Sequence, residues 1–389
     1  MPRIVYFSFP AHGHINPTLP VMRELVRRDE EVIYFGTEQF RPAIQKTGAA
    51  FCSYTPRVAM PAQGPGPFAQ VSTTLETLLD FSRMILDHHL EHVRALRPTH
   101  IMYDSFAPWG SCFAQLLRLP SVASVPSILI NGAIDGRYGR GQAGDPRLTP
   151  QWYAAFSSRC QAWARCQTLP TAPSPAQLLQ SYGDLNIVYT SRAFQPMAEA
   201  FDAQRFQFVG PCFDSPASAP SQPDGGPLVL ISLGTVYGNP DFFRRCSDEL
   251  AGTPWQIVIL NGRRTQVSQI ELLRRCAAFV THSGMNSVQE ALYYGAPMVL
   301  APQAADQFWI SARVAELGAG VFLKTVREDI EKILSDAKYA TAARRIGESL
   351  RASGGHVRAA NAIQNFMSKS ASRPILANDS SAPTVRPGV

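Results

Sequence analysis

The chain has 389 residues, 45% of them hydrophobic and 17% charged, which is too long for one ordinary core and suits two domains of ordinary size. Its net charge is +6, but the basic residues are scattered, some in pairs (Arg27-Arg28, Arg244-Arg245, Arg263-Arg264, Arg344-Arg345) and none in a stripe interleaved with aromatics, which argues for solvated helix faces and against nucleic acid. Seven cysteines without a C-x-x-C pair argue against a disulfide framework or zinc site and for reduced thiols.

Met-Pro-Arg leads straight into an apolar strand, Ile4 to Phe9. There is no signal-peptide pattern and no apolar run of membrane-spanning length, so a cytoplasmic protein without an integral membrane segment is expected. The turn Pro10 to Pro17 precedes a helix with Leu19, Met22, Leu25 and Val26 on one face, and Val32 to Phe35 is the next strand. The chain therefore opens as a βαβ unit. A helical run around Leu75 to Leu96, a strand His100 to Tyr103 and a strand near Ser121 to Ser124 follow. An irregular stretch from Ile134 to Pro175, with Trp152, Tyr153, Phe156 and Trp163, reads as an inserted helical excursion whose aromatics either pack a core or line a pocket. Leu185 to Tyr189 and Phe206 to Val209 are the last strands of this half.

Asp214 to Pro227 is a Pro-rich linker. Leu228 to Leu233 then begins a second strand, turn and helix, with Gly234-Thr235 at the turn. The expected boundaries are 1–212 and 228–352 for two α/β domains, 213–227 for the linker, 353–369 for a C-terminal helix carrying Val357, Ala360, Ile363 and Met367, and 370–389 for a disordered tail. Within the second domain, Thr325-x-x-Glu328 reads as a capping box opening a helix to Leu334.

The densest signal is Thr281 to Gln307. The apolar run Ala277 to Val280 reads as a buried parallel strand. The chain turns at Ser283-Gly284, and a helix begins near Asn286 with Val288, Ala291 and Leu292 on one face. Free backbone N–H groups and the positive end of a helix dipole then meet at one point, a ready anion site. Glu290 lies one turn in, where a carboxylate accepts hydrogen bonds from a ribose. Ser287-x-x-Glu290 also matches a capping box, which would serve only the helix. Gly295-Ala-Pro297 closes the helix, Met298 to Leu300 is the next strand, and Asp306-Gln307 follow in the loop beyond it. In open α/β sheets such groups converge at the carboxyl ends of the strands.

The string His282, Gly284, Asn286, Ser287, Glu290, then Asp306-Gln307, resembles the donor signature of family 1 (UDP-dependent) glycosyltransferases. Pro10-Ala-His-Gly-His-Ile-Asn-Pro17 looks like the acceptor-side turn of their macrolide-type members. The resemblance implies the GT-B architecture, in which two Rossmann-like domains face across a cleft and the C-terminal helix crosses back to the first. It implies that His282, Asn286 and Ser287 hold a diphosphate, Glu290 the ribose and Asp306-Gln307 the sugar. Gly234 and Thr235 would lie at the leaving group, and Gln269 beside the base.

Glycosyl transfer needs a base to take the proton of an acceptor hydroxyl, and an imidazole suits neutral pH. By motif position that base is His14, with His12 its neighbour and Asp104 the carboxylate that orients the ring. A helix-capping imidazole and an H-x-H metal pair are the competing readings of His14, and a helix cap is that of Asp104. The sequence contains no D-x-D, so metal independence is implied, with no cofactor and the UDP-sugar as co-substrate. Gln307 resembles the residue of glucose users. The acceptor is expected to be an apolar, hydroxylated natural product: macrolide, phenolic or terpenoid. Neither turn reads G-x-G-x-x-G, which weighs against a nicotinamide oxidoreductase; a sugar-nucleotide epimerase leaves the PAHGHINP turn unexplained. A donor-impaired binding protein is a further alternative. Only Arg263 to Val267 separate the strand Ile257 to Leu260 from Ser268-Gln269, where the family has a further strand and loop and a Pro before the Gln.

Overall fold

The computed structural model describes residues 2–54, 70–132, 145–214, 226–234, 239–261, 268–304 and 306–371. Thr235, the segment Arg263 to Val267, residues 215–225 of the expected linker, 133–144 of the excursion and 372–389 of the expected tail lie outside them.

Nearly continuous apolar runs, whose successive side chains point to opposite faces, build the first sheet. Its strands are β1 (Arg3–Phe7), β2 (Glu31–Gly36), β3 (Ala50–Ser53), β4 (His100–Asp104), β5 (Ser121–Val125), β6 (Leu185–Val188) and β7 (Phe206–Phe208), all parallel, in the order β3-β2-β1-β4-β5-β6-β7. Val5, Phe7, Phe35, Ile101 and Tyr103 point to one face, and Ile4, Tyr6, Tyr34 and Met102 to the other. Both faces are buried, as a parallel sheet requires.

Helices of this half are α1 (His12–Ile15), α2 (Leu19–Arg27), α3 (Arg41–Gln45), α4 (Val71–Ala95), α5 (Pro108–Leu117), α6 (Pro150–Cys166) and α7 (Pro175–Leu179). The expected turn from Pro10 to Pro17 is thus largely helical. Its last part is a 3-10 turn, Asn16–Thr18, where Pro17 costs no hydrogen bond because it stands in the first turn. Helix α6 settles the reading of its aromatics. Phe156 and Trp163 belong to the core of the first sheet, Trp152 stacks on Phe156 with centroids 4.8 Å apart, and Tyr153 stays exposed.

The second sheet repeats the plan with β8 (Leu228–Ser232), β9 (Gln256–Leu260), β10 (Cys276–Thr281), β11 (Met298–Leu300) and β12 (Gly320–Phe322), parallel, in the order β12-β11-β10-β8-β9. Its helices are α8 (Pro240–Glu249), α9 (Gln269–Leu273), α10 (Met285–Tyr293), α11 (Gln307–Glu316), α12 (Val326–Ser335) and α13 (Ala337–Ala352). The capping box expected at Thr325 and Glu328 does not form. Thr325 makes no side-chain cap, and the N–H groups of Lys324 and Thr325 donate to Asp329 Oδ2 at 2.6 and 2.9 Å. The carboxylate one residue further on reaches back over the turn.

The final helix, α14 (Gly355–Ala371), buries Ala359, Ala360, Ile363 and Met367 in the core of the first sheet, beside Val21 and Met22 of α2. Val357, expected on that face, is 45% exposed. The buried stripe runs through 359, 360, 363 and 367, the i, i+1, i+4, i+8 spacing of one face, and 357 falls off it. The protein therefore has two doubly wound halves, with the last helix returning to the first. Among the described residues no helix is long and apolar enough to cross a membrane.

Candidate active site

Among the described residues, the polar side chains expected at strand ends lie at the carboxyl rims of the two sheets. In the first half, β1 leads to His14 and the adjacent β4 ends at Asp104. His14 Nδ1 stands 3.0 Å from both Asp104 oxygens. Asp104 is fully buried while the His14 side chain keeps 26% of its surface open. Phe9 and Phe106 pack on the ring at centroid distances of 4.8 and 5.7 Å. With Nδ1–H donating to the carboxylate, the Nε2 lone pair is the one free to accept a proton. Burial pushes the imidazole pKa down. The charge and hydrogen bond of Asp104, helped by the charge of Asp306, outweigh burial and raise it above 6.5. His14 makes no helix cap, since Ala11 holds that position. Asp104 does serve the turn, accepting from Phe106 N at 2.8 Å, as well as holding His14. His12 packs edge-on against Phe40.

In the second half, β10 ends at Thr281 and Ser283 takes a φ of +66°, a costly conformation for a residue with a side chain. That bend moves the helix start one residue earlier than expected. Gly284 becomes the N-cap and α10 begins at Met285. The capping box read from Ser287 and Glu290 is therefore not present, because Ser287 sits inside the first turn. The His282 imidazole lies between Gly234 and Gly284: a Cβ on either would come within 2.6 Å of a ring atom. Burial lowers the His282 pKa to about 4, against a pull from the Ser232 backbone, so the ring is neutral, with a single N–H, and lies beside the α10 N-terminus.

The two rims meet. Asn286 Nδ2 donates to Gly13 O, one residue from His14, at 3.2 Å. Ser127 Oγ donates to Asp306 Oδ2 at 2.7 Å.

Comparison with known proteins gives this geometry a family. The chain is 30% identical over 395 residues to the NDP-glycosyltransferase YjiC of Bacillus subtilis (strain 168), covering 95% of this chain and 98% of that one. The protein belongs to the UDP-dependent (family 1) glycosyltransferases. The glycosyltransferase is also 29% identical over 406 residues to the uncharacterized UDP-glucosyltransferase YojK of the same organism, covering 93% of this chain and 97% of the relative. Its residues 259–364 match the family model "Erythromycin biosynthesis protein CIII-like, C-terminal domain". The solved structure of the kitacinnamycin glycotransferase superposes with a TM-score of 0.80 at 28% identity, covering 94% of this chain and all of the other. GT-B is thus the fold of this glycosyltransferase, and a glycosyltransferase is what it is.

The remaining site residues of the glycosyltransferase fall into two groups. Gln269, at the start of α9, donates from Nε2 to Glu290 Oε2 at 2.7 Å and to Ser287 Oγ at 3.2 Å, which ties three expected donor residues together. Gln307 is buried, and its Oε1 accepts from Gln303 N at 2.8 Å and Ala304 N at 3.1 Å. Its oxygen holds its own loop, which leaves the amide nitrogen as the end that could reach another partner. Asp306 is raised by burial, while Ser127 and the charge of His14 pull it down. Thr235 lies outside the described residues. Ser127 was not singled out from the sequence. Its signal is position alone: a small polar residue just past β5, on the rim where ligands bind.

Glu290 carries a testable consequence. Burial lifts its carboxyl to about 7, opposed by the Gln269 hydrogen bond. A carboxylate accepts hydroxyl hydrogen bonds better than its acid, so UDP affinity is expected to rise as pH goes from 6 to 8. Binding below pH 7 would then release a proton, read by calorimetry in buffers of different ionisation enthalpy. Glu290→Gln is expected to flatten that dependence and weaken UDP about tenfold, the size of one charge-assisted hydrogen bond. A wild-type affinity independent of pH would remove Glu290 from the ribose.

Proposed function

We propose that this glycosyltransferase moves a sugar, glucose first among candidates, from a UDP-sugar to a hydroxyl of an apolar natural product, with inversion and without a metal. The observation that carries the reading is the His14–Asp104 pair at 3.0 Å, next to the point where Asn286 of the donor helix reaches Gly13. In this mechanism His14 Nε2 takes the acceptor proton while the oxygen attacks the anomeric carbon. Asp104 holds the ring and stabilises the imidazolium that forms. Attack from the side opposite the leaving group inverts the anomeric centre. UDP gains negative charge as it departs, and the neutral His282 with the N-terminus of α10 supplies preorganised donors for it.

Apolar acceptors are supported by the erythromycin and kitacinnamycin names of the matched family and neighbour, and by the aromatic packing of Phe9 and Phe106 around the base. The test is turnover with α-linked UDP-glucose and panels of macrolide, phenolic and terpenoid acceptors in the presence of EDTA, with the product linkage read by NMR. A β-linked product is expected. An α-linked product would overturn inversion, and loss of turnover with EDTA would overturn metal independence.

The short stretch Arg263 to Val267 bears on the base of the donor. Where the family has a further strand and loop this sequence is shorter, which leaves fewer residues for the uracil face and edge, so base discrimination is expected to be poor. Calorimetry with UDP, TDP and GDP should return dissociation constants within about tenfold of one another, a spread of about 1.4 kcal/mol. Tight, UDP-selective binding would show that the remaining chain rebuilds the wall.

A further inference from the structure

Resting on the donor reading above, we infer that Ser127 is a positioning residue for the donor sugar: from the first half of the chain it fixes the carboxylate of Asp306, so that the sugar subsite is completed by both halves. Asp306 stands at the N-terminal boundary of α11, where an aspartate ordinarily caps its own helix. Here it makes no such cap, and its Oδ2 accepts from Ser127 Oγ across the cleft at 2.7 Å. Gln307, its partner in the expected sugar site, is held by the backbone of its own loop. The two residues are thus oriented by different halves of the molecule.

Ser127 is itself well supported. Next to it, Ile128 is fully buried in the core of the second sheet, in the cluster that holds Met285 and Ile310. Leu129 N donates to Gln195 Oε1 and Ile130 N to Gln180 Oε1, each at 2.9 Å. The segment from the first half is therefore plugged into the second half, and the hydroxyl it presents has little freedom. An ionised carboxylate has about four acceptor positions. Ser127 takes one and the backbone N–H of Asp306 another, which leaves acceptor positions for sugar hydroxyls. A pinned carboxylate meets those hydroxyls without having to be ordered on binding, which is how a neighbouring shell sharpens a site.

The experiment is calorimetry with UDP and with UDP-glucose, together with steady-state kinetics, on wild type, Ser127→Ala and Ser127→Thr. In Ser127→Ala, UDP affinity is expected to stay within about twofold while UDP-glucose weakens about tenfold, the size of one hydrogen bond to a charged group. The donor KM should rise, the acceptor KM should stay, and threonine should restore most of the loss. Equal weakening of UDP and UDP-glucose would show that the bond only holds the halves together, and would overturn the inference. So would an unchanged UDP-glucose affinity. If wild type gains nothing from the glucose over UDP alone, Asp306 has no sugar partner: the donor reading fails first, and the role of Ser127 falls with it.

Discussion

Replacing His14 with alanine is expected to lower kcat by about a hundredfold or more, the usual worth of a positioned base, while UDP affinity stays nearly unchanged. The separation follows from the geometry. His14 is held by Asp104, Phe9 and Phe106, all in the first half, whereas the expected diphosphate ligands lie around His282 in the second. The pH profile carries a further signature. The base works only when neutral, and its pKa stands above 6.5 because Asp104 and Asp306 outweigh burial. Activity should therefore rise with pH through that raised value. Asp104→Asn should move the rising limb to lower pH and slow the chemistry. The stability sign runs the other way. A raised folded pKa means the charged His14–Asp104 pair stabilises fully below the unfolded pKa and loses that contribution as pH rises through the folded one. The enzyme is active where that contribution has been surrendered. Wild-type turnover in His14→Ala would remove His14 from the mechanism, and a matched loss of folding stability would make its role structural.

Gly284→Ala is expected to weaken UDP binding by about one to two powers of ten, about 1.4 to 2.8 kcal/mol. A Cβ there would lie 2.5 Å from His282 Nε2, and one at Gly234 would lie 2.6 Å from His282 Cε1. The ring is trapped between the two positions, so either methyl must displace it from its place beside the α10 N-terminus. Gly284 is the cleaner test. Its φ of −63° suits any residue, whereas Gly234 has a φ of +75° and alanine there would add backbone strain. Calorimetry with UDP and a melting curve separate the effects: the affinity should fall while Tm changes little. Unchanged UDP affinity would show that His282 does not face the diphosphate.

Much of this protein is legible in one dimension. Burial is a property of single residues, so the apolar runs of β1, β4, β8 and β10 announce two parallel sheets. The carboxyl-end rule then places His14, Asp104, His282 and Asp306 on rims before any contact is known. Even the His14–Asp104 pair is within reach, because both residues leave neighbouring strands. Partnership is different: a hydrogen bond needs two backbones placed at once. Ser287 and Glu290 have the spacing of a capping box, yet the left-handed turn at Ser283 shifts the helix start and Gln269 claims both side chains. Gln307 looks like a sugar ligand, and its oxygen is taken by its own loop. Ser127 and Asp306 are 179 residues apart, with no periodicity linking them. The packing of Ile128 and Phe194 into the second half's core helps to bring them together, since a pairwise contact between distant segments is decided by how the two halves dock and not by the pattern along either one.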